Sequence, residues 1–245
     1  MRPFLLIATR PEDDAARGEY EAVLRFTGLE PEQLRHVRIH DAPLPPIDLE
    51  EISGIILGGS PFNTSDPDEE KSPEQRRAES DLAALLDEVV EADFPFFGAC
   101  YGVGTLGVHQ GGLIDRTYGE AVGGVTVTLT EEGLADPLVR EAGVPAQFTG
   151  FVGHKEAVTQ LPAHAVLLGS GENAPVQMFR VRENLYATQF HPELDAAGLE
   201  HRIRVYRDNG YFDPAEMEDL IARVREVDTH HAAALLGAFA RRYAR

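Results

Sequence analysis

Only one cysteine occurs in the chain, Cys100, within "FPFFGACYGVGTLGVHQGG" at Phe94–Gly112. An apolar run stops at Gly98, and a glycine-rich, helix-like segment follows the cysteine. A strand that ends in "GACYG" and turns at once into a helix has the geometry of a nucleophile elbow. Gly98 and Gly102 suit it because a side chain at either place would strike the neighbouring strand or helix. The turn sets Cys100 at a helix N-terminus, where the backbone dipole favours a thiolate. The Tyr101 N–H points to the same spot and can donate to an oxyanion. Free cysteine is also among the residues most often buried as a small hydrophobe, so the elbow alone leaves nucleophile and packed thiol equally open.

A thiolate that attacks an amide needs a base, and the base needs a carboxylate to orient it. "YATQFHPELD" supplies His191 and Glu193 just past a strand end, two residues apart on an extended segment and hence on the same side of it. Pro192 between them forces the strand to stop. Upstream, "GIILGGS" ends in Gly58 and Gly59 at a strand C-terminus, the edge where open α/β sheets place their ligands. Glycines there let backbone N–H groups approach a substrate oxygen. Read alone, the pair is an ordinary turn.

The elements that must carry these residues are legible in outline. "PFLLIAT", "LRHVRIHD", "SGIILGG" and "FPFFGA" read as strands, the apolar ones as buried parallel strands. A helix spans "DDAARGEYEAVLRFTG", and another opens at Ser72-Pro73 and runs through Val90. From Glu120 the character changes: "AVGGVTVTLT", "AQFTGFV", "AVLLGSG", "VQMFRV" and "NLYATQF" read as strands with little helix between them, predicting hairpins attached to the sheet. Beyond Pro192 the chain reads as helical, with Asp213 as an N-cap, Pro214 at the first helical position and Glu216 at the capping-box position.

At 245 residues the simplest reading is an α/β fold, 43% hydrophobic and 26% charged. A net charge of −19 argues against a nucleic-acid or anionic-membrane surface, since either needs a basic face. No apolar run reaches a membrane span and no signal peptide is evident, so a cytoplasmic location is expected. One cysteine makes no internal disulfide, and no pattern calls for a metal or a cofactor. His36 and His40 lie four apart on a strand-like stretch and do not converge on a metal.

Taken together, "GIILGGSP" at 54–61, "GACYG" at 98–102, "GG" at 111–112, "GHKEAVTQLPAHAVLLGSGENAPVQMF" at 153–179 and "QFHPE" at 189–193 resemble the class I glutamine amidotransferases, the Cys-His-Glu triad family. Stand-alone, GMP-synthase-like members are the most similar. The resemblance implies a flavodoxin-like three-layer α/β sandwich with a mostly parallel central sheet, added β-hairpins and a C-terminal helical extension. It spans residues 1–194, leaving 195–245 as helices that pack on the same domain or form a homodimer face. By position it implies Cys100 as nucleophile, His191 as base and Glu193 as its orienter, with the Gly59 and Tyr101 N–H groups as the oxyanion hole. Gly58, Gly104 and His154 are then the substrate-side candidates. The implied reaction is hydrolysis of a γ-glutamyl amide through a cysteine thioester.

Two departures stand out. The family motif continues Cys-x-Gly-x-Gln, but here the last position is Gly104, which leaves space for a larger ligand or reflects close packing. No nucleotide-binding motif accompanies the amidase motifs. Either a separate synthase subunit takes the ammonia, or the protein is a self-contained hydrolase of γ-glutamyl peptides or conjugates. A binding or regulatory module without turnover is the non-enzymatic alternative. Lys155 and Glu156 are expected at the surface, and "DPDEEK" is expected to be a solvated loop.

Overall fold

Short apolar runs alternate with amphipathic helices in the first half of the chain, and the computed structural model, which describes residues 1–245, folds them accordingly. In order come β1 (Phe4–Ala8), α1 (Asp13–Thr27), β2 (Leu34–Arg38), β3 (Ile55–Leu57), α2 (Pro73–Glu91), β4 (Phe96–Ala99) and α3 (Tyr101–His109). The second half holds β5 (Leu113–Asp115), β6 (Glu120–Leu129), α4 (Glu131–Ala135), α5 (Pro137–Ala142), β7 (Gln147–His154), β8 (Ala157–Gln160), β9 (Val166–Ser170), β10 (Met178–Val181) and β11 (Leu185–Thr188). Helices α6 (Ala196–Val205), α7 (Met217–Arg225) and α8 (His230–Tyr243) complete it.

Nine strands form one sheet in the order β2-β1-β3-β4-β11-β10-β9-β6-β7. The first five are parallel to their neighbours; the last four continue the sheet antiparallel. Strands β1, β3, β4 and β11 are buried at every residue, as strands covered on both faces must be. Alternate side chains feed two cores. Phe4, Leu6, Ile56 and Phe97 pack with Val23 of α1 and with Leu235 and Phe239 of α8. Leu5, Ile7, Ile55 and Phe96 pack with Leu82 and Leu86 of α2 and Leu106 of α3. The result is the three-layer, flavodoxin-like α/β sandwich implied by the sequence.

Local signals hold in most places. Ser72 Oγ accepts from the Gln75 N–H at 3.1 Å, capping α2 with Pro73 at its first position. At Asp213 the cap serves a single 3-10 turn by accepting from Ala215 N–H, so α7 begins only at Met217 and Glu216 closes no capping box. Thr130 and Asp136 cap two short helices, α4 and α5, between β6 and β7; they are too short to leave a helical period in the sequence. The C-terminal helices enter the fold differently. Helix α8 joins one of the two large cores, whereas α6 and α7 build a smaller cluster with Phe151 and Leu194. No helix is long and apolar enough to cross a membrane.

Candidate active site

Strand β4 runs directly into α3, and the residue between them is Cys100, with φ 54° and ψ −86°. A side chain in that left-handed region costs on the order of 1–3 kcal/mol and persists only where the surroundings enforce it. Here the Cys100 N–H donates to Thr188 O of β11 at 2.7 Å, tying the turn to the sheet. The glycines explain themselves, since a Cβ on Gly98 would stand 2.8 Å from Gly102 Cα. Tyr101 opens α3, and its N–H finds no acceptor in the protein.

Just past β11, the His191 N–H donates to Phe151 O of β7 at 2.8 Å and fixes the segment. The imidazole Nδ1 faces Glu193 Oε1 at 2.8 Å, both side chains buried. That pairing leaves Nε2 for a reacting partner, and His191 and Cys100 line the same cavity. Burial disfavours a charged ring, but Glu193 and Cys100 outweigh it and push His191 up to about 9. For Glu193, burial opposes ionisation, yet His191 and Arg202 hold its carboxyl well below the usual carboxylate range.

Arg202, from α6, is a residue the sequence reading missed. Its Nη2 donates to Glu193 Oε1 at 2.9 Å and to Glu19 Oε1 at 3.3 Å. Its Nη1 lies 3.1 Å from His191 Nδ1. With the Nδ1 proton directed to Glu193, this last approach sets two N–H donors side by side rather than forming a second hydrogen bond. Glu19 of α1 also accepts from Arg10 Nε at 3.0 Å. Two arginines and two carboxylates thus alternate behind the base, all buried. A faint sequence signal existed: Glu19 lies on the α1 stripe of Ala15, Ala16, Ala22 and Val23, and Arg202 lies beside Leu199 and Ile203.

Several expected substrate-side residues are placed otherwise. The Gly58 N–H donates to Ile7 O within the sheet, and a Cβ there would meet the Glu19 carboxylate at 2.3 Å, so Gly58 is small to admit Glu19. The Gly59 N–H, expected in the oxyanion hole, instead donates to Glu19 Oε1 at 3.2 Å. The unpartnered N–H beside it is that of Ser60, which lines the space around Cys100. His154 is buried with Nδ1 at 2.8 Å from Glu156 O and Nε2 at 2.9 Å from Glu120 Oε2, leaving no ring nitrogen for substrate. Glu156, expected at the surface, is 8% exposed. It accepts from Thr64 N–H, Thr64 Oγ1 and Ser65 N–H at 2.8–2.9 Å. Gly104 sits against this cluster: its Cβ would stand 2.6 Å from Thr64 Oγ1 and 3.0 Å from Glu156 Oε1. The missing glutamine side chain therefore leaves no free space at that Cβ.

Cys100 lies where two cavities meet. A polar one includes Asn63, Tyr101, Gly104, His154, Glu156 and Gln189. Gln189 and Tyr101 are among its lining residues, and their Oε1 and Oη atoms are buried without a partner. The other is mostly apolar and also holds Arg10, His191 and Arg202. No cluster of three His, Cys, Asp or Glu side chains stands close enough to hold a metal ion.

Comparison with known proteins settles the family. The description of glutamine amidotransferase class-I matches residues 27–204. The chain belongs to that family. Among curated class-I relatives, the glutamine-hydrolyzing GMP synthase of Salmonella typhimurium is 33% identical over 187 residues, covering 71% of this chain and 33% of its own. That of Salmonella paratyphi B is 30% identical over the same length and coverage. The chain thus spans about a third of the curated relatives it matches. A glutamine amidotransferase structure from Thermotoga maritima superposes with TM-score 0.74 at 22% identity, covering 99% of this chain and 98% of that one. One from Methylobacillus flagellatus gives 0.74 at 19% identity over 100% and 96%. At these identities the structures establish the shared fold.

Proposed function

We propose that the chain hydrolyses a γ-glutamyl amide, glutamine or a relative of it, through a thioester on Cys100. The observation that carries this reading is the placement of Cys100, in a strained elbow at the N-terminus of α3, on one cavity with His191, whose Nδ1 is paired to Glu193. Membership of the glutamine amidotransferase family supports the amide class.

In this reading the Cys100 thiolate attacks the side-chain carbonyl, and the oxyanion accepts from the free N–H groups of Tyr101 and Ser60. His191, its charged form favoured by Glu193, protonates the departing nitrogen and then takes a proton from the attacking water. The glutamyl end occupies the polar cavity, whose lining includes Asn63, Gln189 and Tyr101. Where the leaving group is ammonia, a separate synthase subunit consumes it, in keeping with relatives named as GMP synthases. Glutamate release from glutamine and from γ-glutamyl amides tests the reading: Cys100→Ala is expected to abolish it, and unchanged turnover in that variant sinks the mechanism.

A further inference from the structure

We propose that the apolar cavity beside Cys100 is a leaving-group subsite, and that the substrates it selects are γ-glutamyl dipeptides ending in a large apolar amino acid. This rests on the thioester chemistry proposed above and names its substrate class. An amide carbonyl held at Cys100 has an acyl arm and an amine arm that point apart. The two cavities share only Ser60, Cys100, Gly153 and Tyr211, so each can take one arm. The polar cavity suits the glutamyl end, which carries both charges of the amino acid. Ammonia needs almost no room and no apolar wall, yet the second cavity opens to solvent and is lined mostly by hydrophobic side chains. Its walls include Val122, Val152, Leu194, Leu199, Ile203 and Phe212.

Among the polar groups that interrupt this apolar lining, Arg10 has a donor to spare. Arg10 is 4% exposed, with Nε committed to Glu19 and Nη1 donating to Tyr206 Oη at 2.9 Å. Its Nη2 has no acceptor in the protein and stands next to Gly59 and the His191 ring; a Gly59 Cβ would lie 2.6 Å from Nη2 and 2.7 Å from His191 Cε1. An unpaired guanidinium N–H in an apolar cavity favours an anion. Arg10 and Arg202 both face the cavity, while Glu19 and Glu193, which balance them, do not line it. The cavity wall therefore presents positive charge to a ligand. An amine that is bulky, apolar and carries a carboxylate is an apolar amino acid.

The reaction balances without a co-reactant other than water. The bond from Cys100 Sγ to the γ-carbonyl carbon forms as the C–N bond breaks. The nitrogen leaves with its electron pair, takes the His191 proton and departs as the free amino acid. Water then adds to the thioester and gives a proton to His191, and the S–C bond breaks to yield glutamate and the thiol.

The test compares kcat/KM for glutamine, γ-glutamylglycine, γ-glutamyl-isoamylamide and γ-glutamyl-leucine, with intact-mass detection of the Cys100 acyl adduct. The leucine peptide is expected to exceed each of the others by roughly tenfold or more, since it alone fills the cavity and pairs with Arg10. Arg10→Met is expected to lower turnover of γ-glutamyl-leucine roughly tenfold beyond its effect on the isoamylamide, which has the same bulk without the carboxylate. Equal losses on both substrates overturn the assignment of Arg10. If glutamine matches or surpasses the leucine peptide in the unaltered protein while both acylate Cys100, the subsite proposal fails and the thioester reading stands. If no member of the panel acylates Cys100, both fail.

Discussion

Gly104 shows how a single missing side chain is compensated. At the place where the family motif carries glutamine, the Glu156 carboxylate collects three donors from Thr64 and Ser65 and holds that loop against α3. A buried carboxylate is tolerated only with such donors around it. Restoring bulk at 104 therefore disturbs an occupied position rather than filling a void. Gly104→Ala is expected to destabilise by about 1–3 kcal/mol through overpacking. Thr64→Ala costs its own hydrogen bond but clears the atom nearest the new methyl. In a double-mutant cycle followed by urea unfolding, the pair should lose less than the sum of the singles. Strict additivity would show that Thr64 does not restrict position 104.

Helix α6 links the C-terminal part of the chain to the proposed chemistry. Leu199 and Ile203 bury it on the small cluster with Phe151, and that packing delivers the Arg202 guanidinium to Glu193 and His191. The proton on His191 is the one needed by the leaving nitrogen, so acylation is expected to fall as pH rises through about 9, where the ring loses it. Arg202 acts on this limb with a definite sign. Its positive charge lies 3.1 Å from the ring and disfavours the imidazolium, so removing it raises the ring's affinity for the proton. Arg202→Met should move the alkaline limb of the kcat/KM profile to higher pH and lower kcat roughly tenfold or more as Glu193 loses its anchor. Arg202→Lys, which keeps the charge, should leave the limb in place. A loss of activity with no movement of the limb in the Met variant would reduce Arg202 to a packing role.

Across the whole molecule, the last helix is part of one of the two large cores. Phe239 of α8 packs at 6.1 Å from Phe4 and 5.4 Å from Phe97, ring centre to ring centre, and so touches the first strand and the strand that leads to Cys100. Truncating it empties the centre of one sheet face. Phe239→Ala is expected to cost about 3–5 kcal/mol, which in a domain of this size lowers Tm by roughly 6–20 °C. Thermal unfolding followed by circular dichroism checks it. A shift of only a degree or two would mean that α8 is dispensable to the core.

What the sequence determined by itself is whatever depends on neighbours along the chain. Continuous apolar runs marked the buried parallel strands, and the glycines of "GACYG" marked the elbow, because sheet burial and a tight turn constrain consecutive residues. The His191–Glu193 pairing was legible from its spacing, although Pro192 and Glu193 form a turn closed by the Leu194 N–H on His191 O at 3.3 Å rather than the extended chain expected. Tertiary structure decided everything that joins distant segments. Arg202 meets Glu19 across 183 positions, and the same Glu19 oxygen takes the Gly59 N–H that the sequence assigned to the oxyanion hole. Glu156 is buried because Thr64 and Ser65, over ninety residues away in the chain, supply its donors. Periodicity reports which face of an element is buried but not which charges meet there, and the second cavity beside Cys100 exists only once α6 and the segment after it close over the strand ends.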